Sequence, residues 1–158
     1  MTALPLPTWH PANLIATWFS VGRLPIAPGT WGSAVTLPIG WLVASWLGPI
    51  WLFAAAAFVF VVGWWAADVY AHRNEVEDPG EIVVDEVAGQ LVALAVVPID
   101  LAYYAAAFVL FRIADIWKPW PVSFAERRLG GGLGIMADDI VAGGYAAIAL
   151  LAIIEVLT

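Results

Sequence analysis

The sequence predicts an all-α, polytopic membrane protein: about five membrane-embedded helices behind a short N-terminal interfacial segment. Hydrophobic residues make up 63% of the 158 and charged residues 12%, where a soluble domain has roughly 45–50% and about 25%. Between Arg23 and Asp68 no charged residue occurs, a stretch long enough for two passes at about 20 residues each. The ten tryptophans suit interfacial aromatic belts. A soluble chain this short has too much surface to hide so much apolar side chain. Residues 1–158 read as a single membrane-embedded domain.

The elements follow in order along the chain. Residues 1–32, rich in Pro, Trp and Gly, form the interfacial segment, helical in part. A first apolar segment runs from Ser33 to Leu47, and Gly48-Pro49 marks a tight turn. The second, Ile50 to Ala71, is the clearest transmembrane helix. Residues 72–84 make a polar loop with Arg73, Glu75, Glu77 and Asp78 and the breaker pair Pro79-Gly80. The third segment, Ile82 to Pro98, is short for a bilayer at about 1.5 Å per residue, so a tilted, protein-buried helix is the alternative to a full pass. The fourth runs from Asp100 to Trp117 and stops at Lys118-Pro119. A loop rich in Pro and Gly fills 118–137, and the last segment spans Asp138 to Leu157.

Five passes put Arg23, Arg73, Arg112, Lys118, Arg127 and Arg128 on one side and leave the other without Lys or Arg. The positive-inside rule makes the basic side cytoplasmic. Residues 1–10 carry no Lys or Arg and no signal-peptide pattern. The absence of cysteine excludes disulfides, thiolate nucleophiles and cysteine-bound zinc. The net charge of −7 argues against a nucleic-acid partner.

Most of the thirteen acidic residues fall at the cytoplasmic ends of segments or in the 72–84 loop. Asp85 and Glu86 open the third, Asp115 lies near the end of the fourth, and Asp138 and Asp139 open the fifth. Carboxylates at membrane depth are costly and usually functional. Such oxygen donors suit a hard cation, Mg2+, that also binds substrate phosphate. Helix capping by acids, at about 0.3–1 kcal/mol each, is the competing account of any one pair. Neighbouring helical positions diverge by about 100°, so one acid of each pair is expected to ligate while the other caps or orients. Gly89 and Gly143, each four residues after an acid, leave room for close helix contact or a bound headgroup. Residues 27–33, Ala-Pro-Gly-Thr-Trp-Gly-Ser, offer backbone N–H groups and the Thr30 and Ser33 hydroxyls to a phosphate; a plain capped turn explains them equally. Lys118 reads as a phosphate partner or a snorkelling lysine, and Arg112, three residues before Asp115, as an ion pair. Arg127 and Arg128 suit anionic lipid headgroups. Gly130-Gly131-Gly132-Leu133-Gly134 is no dinucleotide fingerprint; it reads as a flexible or tightly turned approach to Asp138-Asp139. His10 and His72 form no acid–base pair, and His72 is expected in a surface pair with Asp68.

Three blocks then resemble the phosphatidylglycerophosphatase A family: Ala27 to Ser33, Ile82 to Gly89, and Phe111 to Gly143, with Asp78-Pro79-Gly80 ahead of the second. The resemblance spans most of the chain in family order. It implies an all-helical Mg2+-dependent phosphatase of the bacterial inner membrane that converts phosphatidylglycerophosphate, a phospholipid substrate, to phosphatidylglycerol. On these residues, Asp85, Glu86, Asp138 and Asp139 are expected to hold one or two Mg2+ ions. Asp115 is expected to orient the attacking water or act as general base, and Thr30, Ser33, Arg112 and Lys118 to position phosphate. An aspartyl-phosphate route is the internal alternative. A small transporter or proton conductor using the same acids is the rival function, though it would place them near mid-helix. Arg23 and His72 are given no catalytic role.

Overall fold

The computed structural model describes residues 6–76, 79–120 and 129–157, and all regular structure among them is helical. In chain order it comprises α1 (Pro11–Ala16), a 3-10 turn (Val21–Arg23), α2 (Pro28–Leu47), α3 (Ile50–Asn74), α4 (Val84–Leu94), α5 (Leu101–Trp117) and α6 (Gly131–Leu157). Glu77, Asp78, Ser123, Arg127 and Arg128 lie outside the described residues.

Local chemistry sets most helix ends. Pro28 opens α2, where its missing N–H costs nothing. Gly48, at φ 101°, closes α2 by donating to the Ala44 carbonyl at 3.0 Å. Asp100 caps α5: its Oδ1 accepts from the backbone N–H of Ala102 at 2.8 Å. Lys118 ends α5 in the left-handed region, directly before Pro119. Two helices begin earlier than their sequence pattern suggested. The 27–33 motif is the start of α2 rather than a turn before it, and the glycine run supplies the first turn of α6. Gly132 donates its N–H to Asp68 Oδ1 at 3.2 Å, so that run is a docking point on α3 and not a loose approach.

α4 sits in the middle, contacting α2, α3, α5 and α6. Its residues Val87, Ala88, Gly89, Gln90 and Leu91 are all buried. Eleven residues rise only about 16 Å against a hydrocarbon core of about 30 Å. The protein-buried alternative for the third segment therefore holds. A Cβ on Gly89 would collide with the Asp139 carbonyl, and one on Gly143 with the Gly89 carbonyl. The two glycines let α4 and α6 meet backbone to backbone, which resolves their role in favour of helix contact.

Two helices, Ile50–Asn74 and Gly131–Val156, are long and apolar enough to cross a membrane. Their most apolar windows are only 28% and 33% buried, so neither is the hidden core helix of a soluble domain. Trp51, Phe58, Val61 and Trp65 of α3 are exposed, a surface that suits lipid rather than water. α2 has the length, at 20 residues, but its Pro, Gly, Ser and Thr dilute it, and α5 has 17 residues. The expectation of five membrane helices is thus met only in part: the regular structure is helical, but among the described residues membrane-crossing length and composition are found in two helices.

The N-terminal segment is also more than interfacial. Ala12, Asn13 and Ala16 of α1 are buried. Val83 donates its N–H to the Ala16 carbonyl at 2.9 Å. Arg23 Nη2 donates to Asn13 Oδ1 at 2.7 Å, and Arg23 Nε lies 3.4 Å from Glu81 Oε2, which also accepts from the Tyr70 hydroxyl at 2.7 Å. These contacts pin residues 81–83, the lead-in to Asp85 and Glu86.

Candidate active site

One end of the bundle gathers the starts of α2, α4 and α6 and the ends of α3 and α5 around a cavity of about 910 Å³. Asp85 and Glu86 reach it from the first turn of α4, Arg112, Asp115 and Lys118 from the end of α5, and Asp138 and Asp139 from α6. Segments far apart in sequence meet here because alternating helices bring every second end to the same side.

Asp85, Glu86 and Asp139 each present a carboxylate oxygen within 4.8 Å of the other two. Among the described residues this is the one such acidic group. Asp85 Oδ1 and Glu86 Oε2 are buried and have no hydrogen-bond partner among the described residues. Buried carboxylate oxygens without a donor are costly and call for a counter-charge. An all-oxygen donor set with two orphaned members fits a hard divalent cation and does not fit a soft one.

The two acid pairs are placed differently. Asp138 is turned aside: its Oδ2 lies 2.9 Å from Lys118 Nζ, and its Oδ1 accepts the Asp139 N–H at 3.0 Å. Four converging carboxylates are therefore reduced to three, with Asp138 tied to Lys118. Asp85 and Glu86 nevertheless both join the group, because the extra methylene of Glu86 lets its carboxylate swing back across the face. Gly29 makes space for it: a Cβ there would overlap Glu86 Oε1.

Arg112 is the charged hub on the α5 side. Its Nη1 lies 2.6 Å from Asp115 Oδ2 and 3.6 Å from Glu86 Oε1, and is 3.5 Å from Ser33 Oγ. Ser33 is fully buried and donates to the Gly29 carbonyl at 3.0 Å. It stands behind Arg112 and does not line the cavity. Thr30 faces elsewhere, into a separate apolar groove beyond Arg112. The two hydroxyls expected together on a phosphate are thus split, although they sit three apart on one helix face: Ser33 is buried and engaged by the Gly29 carbonyl, while Thr30 lines the groove.

Two residues join the site unannounced. His72 and Glu75 line the cavity rim because α3 runs on to Asn74, one turn past its apolar stretch; His72 also keeps its expected pairing, 3.8 Å from Asp68. Behind the site, Gln90 is fully buried one turn after Glu86 and has no partner for either amide atom among the described residues. A lone amide in an apolar helix, four residues from an acid, was the available signal for it.

The phosphatidylglycerophosphatase A family model matches residues 14–154. Phosphatidylglycerophosphatase A of Escherichia coli is 40% identical over 140 residues, covering 87% of this chain and 80% of its own. The Haemophilus influenzae protein of the same name is 37% identical over 145 residues, covering 91% and 89%. A Bacteroides thetaiotaomicron protein named putative phosphatidylinositol-3-phosphatase is 40% identical over 148 residues, covering 89% and 91%. No solved structure matches. With its acids, its Arg112 hub and its glycine contacts all inside the matched span, the chain belongs to the phosphatidylglycerophosphatase A family.

Proposed function

We propose that this protein hydrolyses phosphatidylglycerophosphate to phosphatidylglycerol and phosphate, at the cytoplasmic face of a bacterial inner membrane and with Mg2+. The observation that carries the chemistry is the Asp85–Glu86–Asp139 group beside Arg112 and Lys118 in one cavity. The two relatives named phosphatidylglycerophosphatase A support the substrate. The orientation rests on the one-sided distribution of Lys and Arg.

In this reading Asp85, Glu86 and Asp139 hold the cation. When bound, Mg2+ offsets phosphate charge and lowers the pKa of a coordinated water. The chain's own groups do the rest. Arg112 and Lys118 draw the phosphomonoester into an otherwise acidic cavity that would repel it. Ser33 and Asp115 fix the Arg112 guanidinium, and Asp138 fixes Lys118. Asp115, held on one oxygen by Arg112, keeps the other for orienting a water or accepting its proton. Thr30 is left out of the phosphate-binding set.

Phosphate release by purified protein from phosphatidylglycerophosphate, phosphatidylinositol 3-phosphate and phosphatidic acid, with and without chelator, tests the reading. Release from the first, abolished by chelator and restored by Mg2+, supports it. Preference for the inositol lipid would move the chain's substrate toward that of the Bacteroides relative. Equal turnover of all three would make it a general lipid phosphatase.

A further inference from the structure

α4 carries two of the three clustered carboxylates in its first turn, yet its N-cap residue is Val83, which makes no side-chain capping hydrogen bond. Asp85, Glu86 and Asp139 bring carboxylate oxygens within 4.8 Å of one another, and like charges that close disfavour one another. The end of a helix is where it frays most readily. What holds this first turn against its own charge must therefore come from outside α4.

The hold lies in residues 81–83 and the N-terminal segment packed against them. Ile82 and Val83 are buried, and the Val83 N–H donates to the Ala16 carbonyl at 2.9 Å. A Cβ on Gly22 would overlap the Glu81 carbonyl. These backbone contacts fix the start of α4 only while the N-terminal segment itself stays in place. Arg23 is the side chain that bonds both parties. Its Nη2 donates to Asn13 Oδ1 at 2.7 Å, and its Nε donates to Glu81 Oε2 at 3.4 Å. Asn13 is buried in α1, its amide donating to the carbonyls of Leu6 and Pro7 at 3.2 and 3.1 Å. Glu81 Oε2 also accepts from the Tyr70 hydroxyl of α3 at 2.7 Å. A chain of bonds thus runs from α1 through Arg23 to Glu81, four residues before Asp85.

We infer that Arg23, acting through Glu81, is a positioning residue of the acidic site: it fastens the N-terminal segment to the start of α4 and so keeps Asp85 and Glu86 beside Asp139. Arg23 touches none of the acids and takes no part in the chemistry. The inference rests on the metal-dependent reading above and adds to it what holds two of the three donors in place.

The ion pair is partly exposed, with side chains 29% and 51% accessible. Such a pair adds little to global stability, so its loss should act locally and leave the protein folded. Arg23→Gln, Glu81→Gln and Tyr70→Phe test it. The Mg2+ concentration that gives half-maximal phosphate release from phosphatidylglycerophosphate should rise about 5-fold in the first two and about 2-fold in Tyr70→Phe. The rate at saturating Mg2+ should stay within about 3-fold of wild type. The shared direction is the signature of positioning. Long-range charge alone would lower the Mg2+ requirement on losing Arg23, raise it on losing Glu81 and leave Tyr70→Phe unchanged. Hydrogen exchange in micelles without Mg2+ gives a measure independent of hydrolysis. Amides of 82–88 should exchange at least ~5-fold faster in Arg23→Gln and Glu81→Gln, with those of 140–150 in α6 unchanged. Unchanged exchange at 82–88, or Mg2+ requirements that move in opposite directions, overturns the inference and leaves the phosphatase reading intact. A wild type that releases no phosphate, yet whose 82–88 amides open in both variants, overturns the phosphatase reading and leaves the anchor at Arg23 standing.

Discussion

The carboxylate of Glu86 rests directly on the Cα of Gly29, so closely that a methyl group there would overlap Oε1. The first turn of α2 and the first turn of α4 are thereby interlocked at the acidic group. A single hydrogen at position 29 decides whether Glu86 reaches Asp85 and Asp139.

Gly29→Ala should therefore lower activity without unfolding the protein. Alanine favours helix over glycine by up to about 1 kcal/mol, so thermal stability should hold or rise slightly. The displaced Glu86 carboxylate should cost about 10-fold or more in kcat/KM at limiting Mg2+, with partial recovery at high Mg2+. A variant with full activity at limiting Mg2+ would detach Gly29 from the site.

The acids should separate into two ranks. Glu86→Gln and Asp139→Asn each remove a charge from the three-carboxylate group, and activity should drop at least ~10²-fold, about 2.7 kcal/mol of transition-state stabilisation. Asp138→Asn leaves that group intact and weakens its tie to Lys118. Its loss should be roughly 10-fold and insensitive to Mg2+ concentration. Mg2+ titrations of the three variants discriminate the ranks. Equal losses in all three would return Asp138 to the ligand set. If the acids only cap helices, folded protein should turn over nearly normally and lose about 1 kcal/mol of stability instead.

The α4–α6 contact predicts a steric contrast. Gly143→Ala places a methyl against the Gly89 backbone, whereas a Cβ on Gly144 meets nothing within 4 Å. Overpacking of this kind costs typically about 1–3 kcal/mol, or about 2–4 °C in Tm per kcal/mol for a chain of this size. Thermal unfolding in micelles should show Gly143→Ala destabilised and Gly144→Ala unchanged or slightly stabilised. The Gly143 variant should also lose activity, because the contact sets how Asp139 meets Asp85. Matching melting curves for both would contradict the backbone-to-backbone packing.

Orientation has its own test. A reporter active only outside the cytoplasm, fused after Thr158, should give signal, and the same reporter inserted between Trp120 and Leu129 should not. The reverse pattern would overturn the cytoplasmic orientation proposed for the acidic cavity.

Much of this molecule is legible in one dimension. Ile50 to Ala71 declares a long apolar helix by composition alone, and Asp85, Glu86, Asp115, Asp138 and Asp139 stand out because charge in an apolar chain has few structural uses. Gly48-Pro49, Asp100 and Lys118-Pro119 mark helix ends by local backbone chemistry, which needs no tertiary partner. Periodicity, however, states which residues share a face and not which faces meet. Only the packed bundle decides that Asp139 joins Asp85 while its neighbour Asp138 goes to Lys118. The same holds for Ser33, which is buried against Arg112 while Thr30 lines the groove, and for α4, whose apolarity suits lipid or protein equally until four helices surround it. The angle between adjacent helical positions is fixed by the backbone, but side-chain length and the space left by Gly29 set where a carboxylate arrives. That is a property of contacts between segments distant in sequence, which exist only once the chain has folded.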